Sequence, residues 1–220
     1  MKKPTRLIQN HAGTGKRRTV NPPVERASTV LLPDRKQLYS AKPGYGRMGL
    51  AVQNELEAAM CLLEGAEHAR LTPSGLSACT VAIAALVKAG DEVLISDSIY
   101  GPTRRFCERR LERMGVCCER FNPRDAAALA GLITENTAAI VLESPGSLTF
   151  EISDTRAIVE LAKRHGVRTV MDNTWAVGIF CQPLDLGVDV VVQALTKYVV
   201  GHADAFGGAV MCNDRRIAHE

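Results

Sequence analysis

The sequence runs to 220 residues, 46% of them hydrophobic and 23% charged, a globular balance that excludes a disordered or collagen-like chain. Lys and Arg number 27 against 24 Asp and Glu, a net +3, too small a surplus to point to nucleic acid. The longest apolar runs, such as Val81 to Val87, fall far short of the roughly 20 residues of a membrane helix.

In chain order, the basic start Met1-Lys2-Lys3-Pro4-Thr5-Arg6 leads into polar Gln9, Asn10 and His11, not into the apolar core of an export signal. Residues 1–50 hold Pro4, Pro22, Pro23, Pro33 and Pro43 with little periodicity. They read as an extended arm, ordered against a partner surface. A helix is predicted over about Gln53–Leu63, with Leu56, Ala59, Met60 and Leu63 on one face and Gly65 ending it. From Ala69 onward, short apolar strands alternate with amphipathic helices. Predicted strands are Glu92–Ser96, Ala138–Leu142, Thr169–Asp172, Val188–Gln193 and Gly208–Cys212. Predicted helices are Leu76–Lys88, Thr103–Met114, Asp125–Leu132 and Thr155–His165. Solid Val, Ile and Leu runs indicate a parallel sheet covered on both faces. The class is therefore α/β, a three-layer α/β/α arrangement with a mostly parallel sheet, in which residues 51–220 form one large domain behind the arm.

The seven cysteines are odd in number and show no C-x-x-C spacing, which suits reduced thiols in the cytoplasm. Adjacent Cys117 and Cys118 have no second pair to complete a ligand set, so no metal is expected. They suit a strand beside Gly115. The arginines 104, 105, 109, 110 and 113 mark the wet face of one predicted helix.

Open α/β sheets bind ligands beyond the carboxyl ends of their strands, and four features fall there. Thr72-Pro73-Ser74-Gly75-Leu76 precedes an apolar helix; its turn reads either as an ordinary N-cap or as a phosphate seat. Tyr100 follows one strand and either stacks on a flat ring or packs a loop. Asp172 ends another strand, where a carboxylate requires a cationic or donor partner or caps the next helix. Lys197 ends a third, and a lysine at the end of a buried strand is suited to a Schiff base with a carbonyl compound. His202 lines a pocket or is hydrogen-bonded in the interior, and Trp175 is either pocket wall or core.

The order and spacing of Tyr45-Gly46-Arg47, Asp172-Asn173-Thr174-Trp175 and Thr196-Lys197-Tyr198-Val199-Val200-Gly201-His202-Ala203-Asp204 resemble the pyridoxal-phosphate (PLP) enzymes of cysteine and methionine metabolism. These belong to the aspartate aminotransferase-like superfamily (fold type I). Glu143-Ser144-Pro145-Gly146-Ser147 and Ala194 are similar to the β-acting cystathionine lyases of that group, the γ-acting relatives carrying Asn and Ser at the positions of Ser147 and Ala194. The resemblance implies cleavage of the Cβ–S bond of an amino-acid substrate, L-cystathionine, the alternatives being a γ-acting relative or a catalytically inactive fragment that lacks the C-terminal domain. It implies that Lys197 carries PLP and moves the Cα proton, and that Asp172 holds the ring nitrogen. Tyr100 would stack on the ring; Gly75, Leu76 and Thr196 would hold the phosphate. Tyr45 and Arg47 would reach into a neighbouring subunit's site, which implies a homodimer or homotetramer. It also implies a C-terminal domain beyond Glu220, carrying the arginine for the substrate α-carboxylate; no arginine present matches it. Ala203 departs from the more usual Ser.

Overall fold

Seven short strands, most of them β-branched or aliphatic, set the frame: β1 His68–Thr72, β2 Glu92–Ser96, β3 Cys117–Phe121, β4 Thr137–Glu143, β5 Arg168–Asp172, β6 Val190–Gln193 and β7 Gly208–Cys212. The computed structural model describes residues 2–9, 23–39 and 44–219, so the stretches of the arm at 10–22 and 40–43 lie outside the described residues. The strands form one sheet in the order β1-β7-β6-β5-β4-β2-β3. Those from β6 to β3 run parallel, while β7 runs antiparallel to both β6 and β1.

Helices cover both faces: α1 Lys3–Gln9, α2 Ala51–Glu64, α3 Gly75–Ala84, α4 Gly101–Phe106, α5 Ala126–Ala130, α6 Thr155–His165 and α7 Val177–Phe180. Alternate strand residues enter two separate cores. Leu94, Ile140, Leu142, Met171 and Val191 pack with Met60 and Leu63 of α2, Leu129 of α5 and Ile158 and Leu161 of α6. Val93, Ile95, Val141, Val170 and Val192 pack with Ala78, Ala82 and Ile83 of α3 and with Cys107 and Leu111 beyond α4. The three-layer expectation therefore holds, because the central strands are apolar on both faces.

Helix α6 shows the local logic. Asp154 caps its start by accepting the Ala157 N–H at 3.1 Å. Ile158, Val159, Leu161 and Ala162 bury one side, and Lys163, Arg164 and His165 occupy the last turn, where cations suit the helix dipole. Gly166, at φ +70°, ends it.

The differences from the sequence reading are local. Helix α1 forms inside the arm, where no helix was expected. The helix predicted to reach Lys88 stops at Ala84. The one predicted over Thr103–Met114 is α4 followed by a wider π-type turn at Cys107–Leu111. Strand β1 had no counterpart in the reading, since it is an edge strand of mixed polarity, His-Ala-Arg-Leu-Thr. Among the described residues no helix is long and apolar enough to cross a membrane.

Candidate active site

The parallel strands bring their carboxyl ends to one edge of the sheet. Tyr100, Glu143, Asp172 and Lys197 stand at the ends of β2, β4, β5 and β6 or just beyond them. Asp172 is level with Glu143 on one side and Val192 on the other. Its Oδ1 accepts the Thr174 N–H at 3.0 Å, and the buried Cys79 thiol donates to Oδ2 at 3.6 Å. Burial raises the Asp172 pKa, against the pull of its bonds to Thr174. Glu143 accepts the Tyr100 N–H at 2.6 Å and the Ser147 hydroxyl at 2.7 Å. Its pKa is nevertheless pushed up to about 7, first by burial and then by the charge of Asp172. Two adjacent acids of this kind favour a bound cation or a retained proton. At Oδ2 Asp172 meets the weak thiol donor of Cys79 and keeps acceptor capacity beside it.

The start of α3 is the second part of the site. Ser74 and Ser77 cap it reciprocally: Ser74 Oγ accepts the Ser77 N–H at 3.1 Å, and Ser77 Oγ accepts the Ser74 N–H at 3.0 Å. The next two N–H groups, of Gly75 and Leu76, have no partner among the described residues and point out of the first turn with the positive end of the dipole. A Cβ on Gly75 would lie 2.4 Å from the Ala194 Cβ. Only glycine lets the helix start abut the segment that leads to Lys197.

That segment is held from several sides. The Ala194 N–H donates to Thr174 Oγ1 at 2.8 Å, tying the chain after β6 to the chain after β5. The Lys197 N–H donates to Ala194 O at 3.1 Å, and its own carbonyl accepts the Gly201 N–H at 2.8 Å. Lys197 itself is exposed. The Thr196 hydroxyl is engaged with Gly207, donating to its carbonyl and accepting its N–H, each at 3.2 Å. Its single proton reaches a phosphate only if the hydroxyl rotates away from that carbonyl.

Tyr100 is half exposed at the start of α4, so its ring is not packed into the core. Tyr45 and Arg47 lie apart on the short turn at Gly46–Met48, the Arg47 guanidinium 5.2 Å from the centre of the Tyr45 ring. No hydrogen bond or ion pair among the described residues joins either to Lys197, Asp172 or Gly75 of the same chain. Trp175 is half exposed and meets Phe150 edge-on at 6.2 Å, so it is not core. His202 is exposed, its Nδ1 3.3 Å from Val200 O, which removes the interior role considered for it. Ala203 sits at φ +56° in the turn after the lysine.

Sequence reasoning gave no site role to Glu143, Cys79 or Glu64. Glu143 carried the same signal as Asp172, an acid closing an apolar strand. Cys79 and Glu64 lie on helices, and only packing turns them toward the strand ends.

An open α/β sheet with a lysine and an acid at neighbouring strand ends, beside a helix start with two free N–H groups, defines a class. It is that of enzymes holding a phosphorylated small-molecule cofactor at the sheet edge. The model of the Cys/Met metabolism PLP-dependent enzymes matches residues 4–220, and the chain belongs to that family. It is 44% identical to a putative cystathionine beta-lyase of Rhizobium johnstonii, over 88% of this chain and 50% of that protein. It is 39% identical to an L-alanine/L-glutamate racemase of Wolbachia pipientis, over 88% of this chain and 51% of that one. It is 37% identical to the Escherichia coli cystathionine beta-lyase MetC, over 96% of this chain and 56% of that one. Among solved structures, cystathionine gamma-lyase from Lactobacillus plantarum, complexed with L-serine, superposes with a TM-score of 0.89 at 30% identity. The match covers 100% of this chain and 58% of that one. The chain thus spans about half the length of the relatives it matches.

Proposed function

We propose that this chain belongs to a PLP-dependent carbon–sulfur lyase that cleaves the Cβ–S bond of L-cystathionine, yielding homocysteine, pyruvate and ammonia. The observation that carries the reading is the meeting of three groups at one sheet edge. These are Lys197 on the segment after β6, Asp172 with spare acceptor capacity on β5, and the free N–H pair of α3, which abuts the Lys197 segment through Gly75. These residues fit the cofactor: an anion suits the helix start, a ring N–H suits Asp172, and an amine suits the aldehyde. When bound, the cofactor supplies an electron sink for the pair left at Cα.

The residues then divide the work. Gly75 and Leu76 donate their N–H groups to the phosphate, joined by the Thr196 hydroxyl after rotation. Asp172 accepts the ring N–H and keeps that proton in place. Tyr100 covers the ring face. Lys197 Nζ would hold the cofactor aldehyde and, as a free amine, would take the Cα proton. As the Cα–H and Cβ–S bonds break, the departing homocysteine sulfur takes a proton, for which Tyr100 and Tyr45 are the candidate donors. The remaining 2-aminoacrylate hydrolyses to pyruvate and ammonia. Arg47 and Tyr45 serve the site of a neighbouring subunit, Arg47 as a forked phosphate ligand, so the working form is a homodimer or homotetramer. The unpaired cysteines suit the cytoplasm.

The β-lyase reading is supported by Ser147 and Ala194 and by the names of two of the three relatives. The racemase and the γ-lyase keep a second reading open, because all three chemistries begin with loss of the same Cα proton. The test begins with PLP, borohydride reduction and peptide mapping of this chain: a pyridoxyl group at Lys197, absent in Lys197→Ala, is expected. Label scattered over surface lysines would refute the site. Product analysis of the full-length protein then decides the reaction. Pyruvate with homocysteine is expected; 2-oxobutyrate with cysteine would assign γ-elimination, and loss of optical rotation without a keto acid would assign racemisation.

A further inference from the structure

Beneath the strand ends lies a buried polar cluster that the proposed chemistry does not use. Glu64, the last residue of α2, is fully buried. Its Oε2 accepts Asn173 Nδ2 at 2.9 Å, and its Oε1 accepts Gln193 Nε2 at 2.7 Å. The same Gln193 amide also donates to Asn173 O at 2.8 Å. Asn173 directly follows Asp172, and Gln193 closes β6 four residues before Lys197. One carboxylate therefore spans the two backbone segments that carry the acid and the lysine.

Helix stability does not explain an acid here. A negative group at a helix C-terminus faces the negative end of the dipole, and burial makes its charge costly, which raises the Glu64 pKa. An apolar side chain of similar size would serve packing as well or better. The surroundings instead support the charge. Lys3 of α1 donates its ammonium to the carbonyls of Leu63 and Gly178, and its attraction to Glu64 opposes the burial penalty. With both carboxylate oxygens bonded, the cluster resists rotation of either side-chain amide and fixes the gap between β5 and β6.

We infer that Glu64 is a positioning residue of the cofactor site, holding the Asp172 and Lys197 segments in register through its bonds to Asn173 and Gln193. The inference rests on the reading of Lys197 and Asp172 as that site. In Glu64→Gln one of the two amide donors faces an amide donor instead of an acceptor, so the tie is cut on one side while volume is kept.

The test is a PLP titration of wild type, Glu64→Gln, Gln193→Ala and the double variant, followed by borohydride labelling of Lys197. Urea unfolding of each cofactor-free protein runs in parallel. Glu64→Gln is expected to weaken cofactor binding roughly tenfold, as loss of an outer partner does at metal sites, and to slow Lys197 labelling in protein that remains folded. The double variant is expected to bind about as the weaker single one, since both changes cut one tie. Unchanged affinity in Glu64→Gln overturns the inference, as do additive losses, or a loss that merely follows the unfolded fraction. Should Glu64→Gln fail to fold, Gln193→Ala and Asn173→Ala cut the same ties separately, and normal affinity in both overturns it. Wild-type protein that takes no label at Lys197 overturns the cofactor-site reading as well, which separates the two failures.

Discussion

Glu143 and Asp172 end neighbouring strands at the same level, and the charge of Asp172 makes ionisation of Glu143 harder. Glu143 is raised to about 7, chiefly by burial, and burial raises Asp172 and Glu64 in the same sense. An acid whose folded pKa lies above its unfolded one binds its proton more tightly when folded. Its contribution to stability is therefore complete below the unfolded value and declines as pH rises through the folded one. The cofactor-free chain is expected to lose stability between about pH 4.5 and pH 7, with a slope of at most about 1.4 kcal/mol per pH unit from each group. Urea midpoints across that range check it, and Glu143→Gln should flatten the curve. A midpoint that rises steadily over the same interval would contradict the assignment. The sequence exposed Asp172 as an acid closing an apolar run and offered the same evidence for Glu143. It held no sign that Cys79, on α3, meets Asp172.

At the scale of elements, the central strands were legible and the edges were not. β4, β5 and β6 are buried on both faces, so their sequences are nearly continuous apolar runs. The edge strand β1 buries only Ala69 fully and keeps a mixed composition. The Ser74-Gly75 turn reads as either an N-cap or a phosphate seat, and the element is a capped helix whose first two N–H groups have no partner among the described residues. The contact between that helix and the Ala194 segment depends on Gly75. In Gly75→Ala the new methyl group, 2.4 Å from Ala194 Cβ, must push α3 or the lysine segment aside. A loss of about 1–3 kcal/mol in unfolding free energy is expected, with weaker PLP binding measured by titration. An unchanged PLP dissociation constant would show that the helix start and the lysine segment need not touch.

Over the whole molecule, buried and exposed apolar groups are unevenly shared. The two cores are closed, yet Tyr198, Phe206 and Phe180 stand 60%, 76% and 81% exposed. Tyr198 and Phe206 flank the turn after the lysine, and their neighbour Val199 is partly exposed as well. Apolar groups clustered so near a polar site are characteristic of surfaces that meet another chain. Sedimentation of this chain is expected to show association that rises with concentration and weakens in Phe206→Ser. A single monomeric species at every concentration would exclude it.

Local sequence determined the α/β class, the central strands and the chemistry-bearing residue types, because each follows from short-range periodicity or from an unusual residue at the end of an apolar run. It also carries the motifs that mark the family. What only the tertiary structure decided is how those residues are joined. Glu64 lies 109 positions from Asn173 and 129 from Gln193 along the chain, and Cys79 lies 93 from Asp172. No local pattern encodes such pairings; they arise when parallel strands bring their carboxyl ends to one edge and helices close over both faces. The antiparallel course of β7 and the commitment of the Thr196 hydroxyl to Gly207 are of the same kind. Each depends on which segment lies alongside, and that is settled only when the sheet assembles.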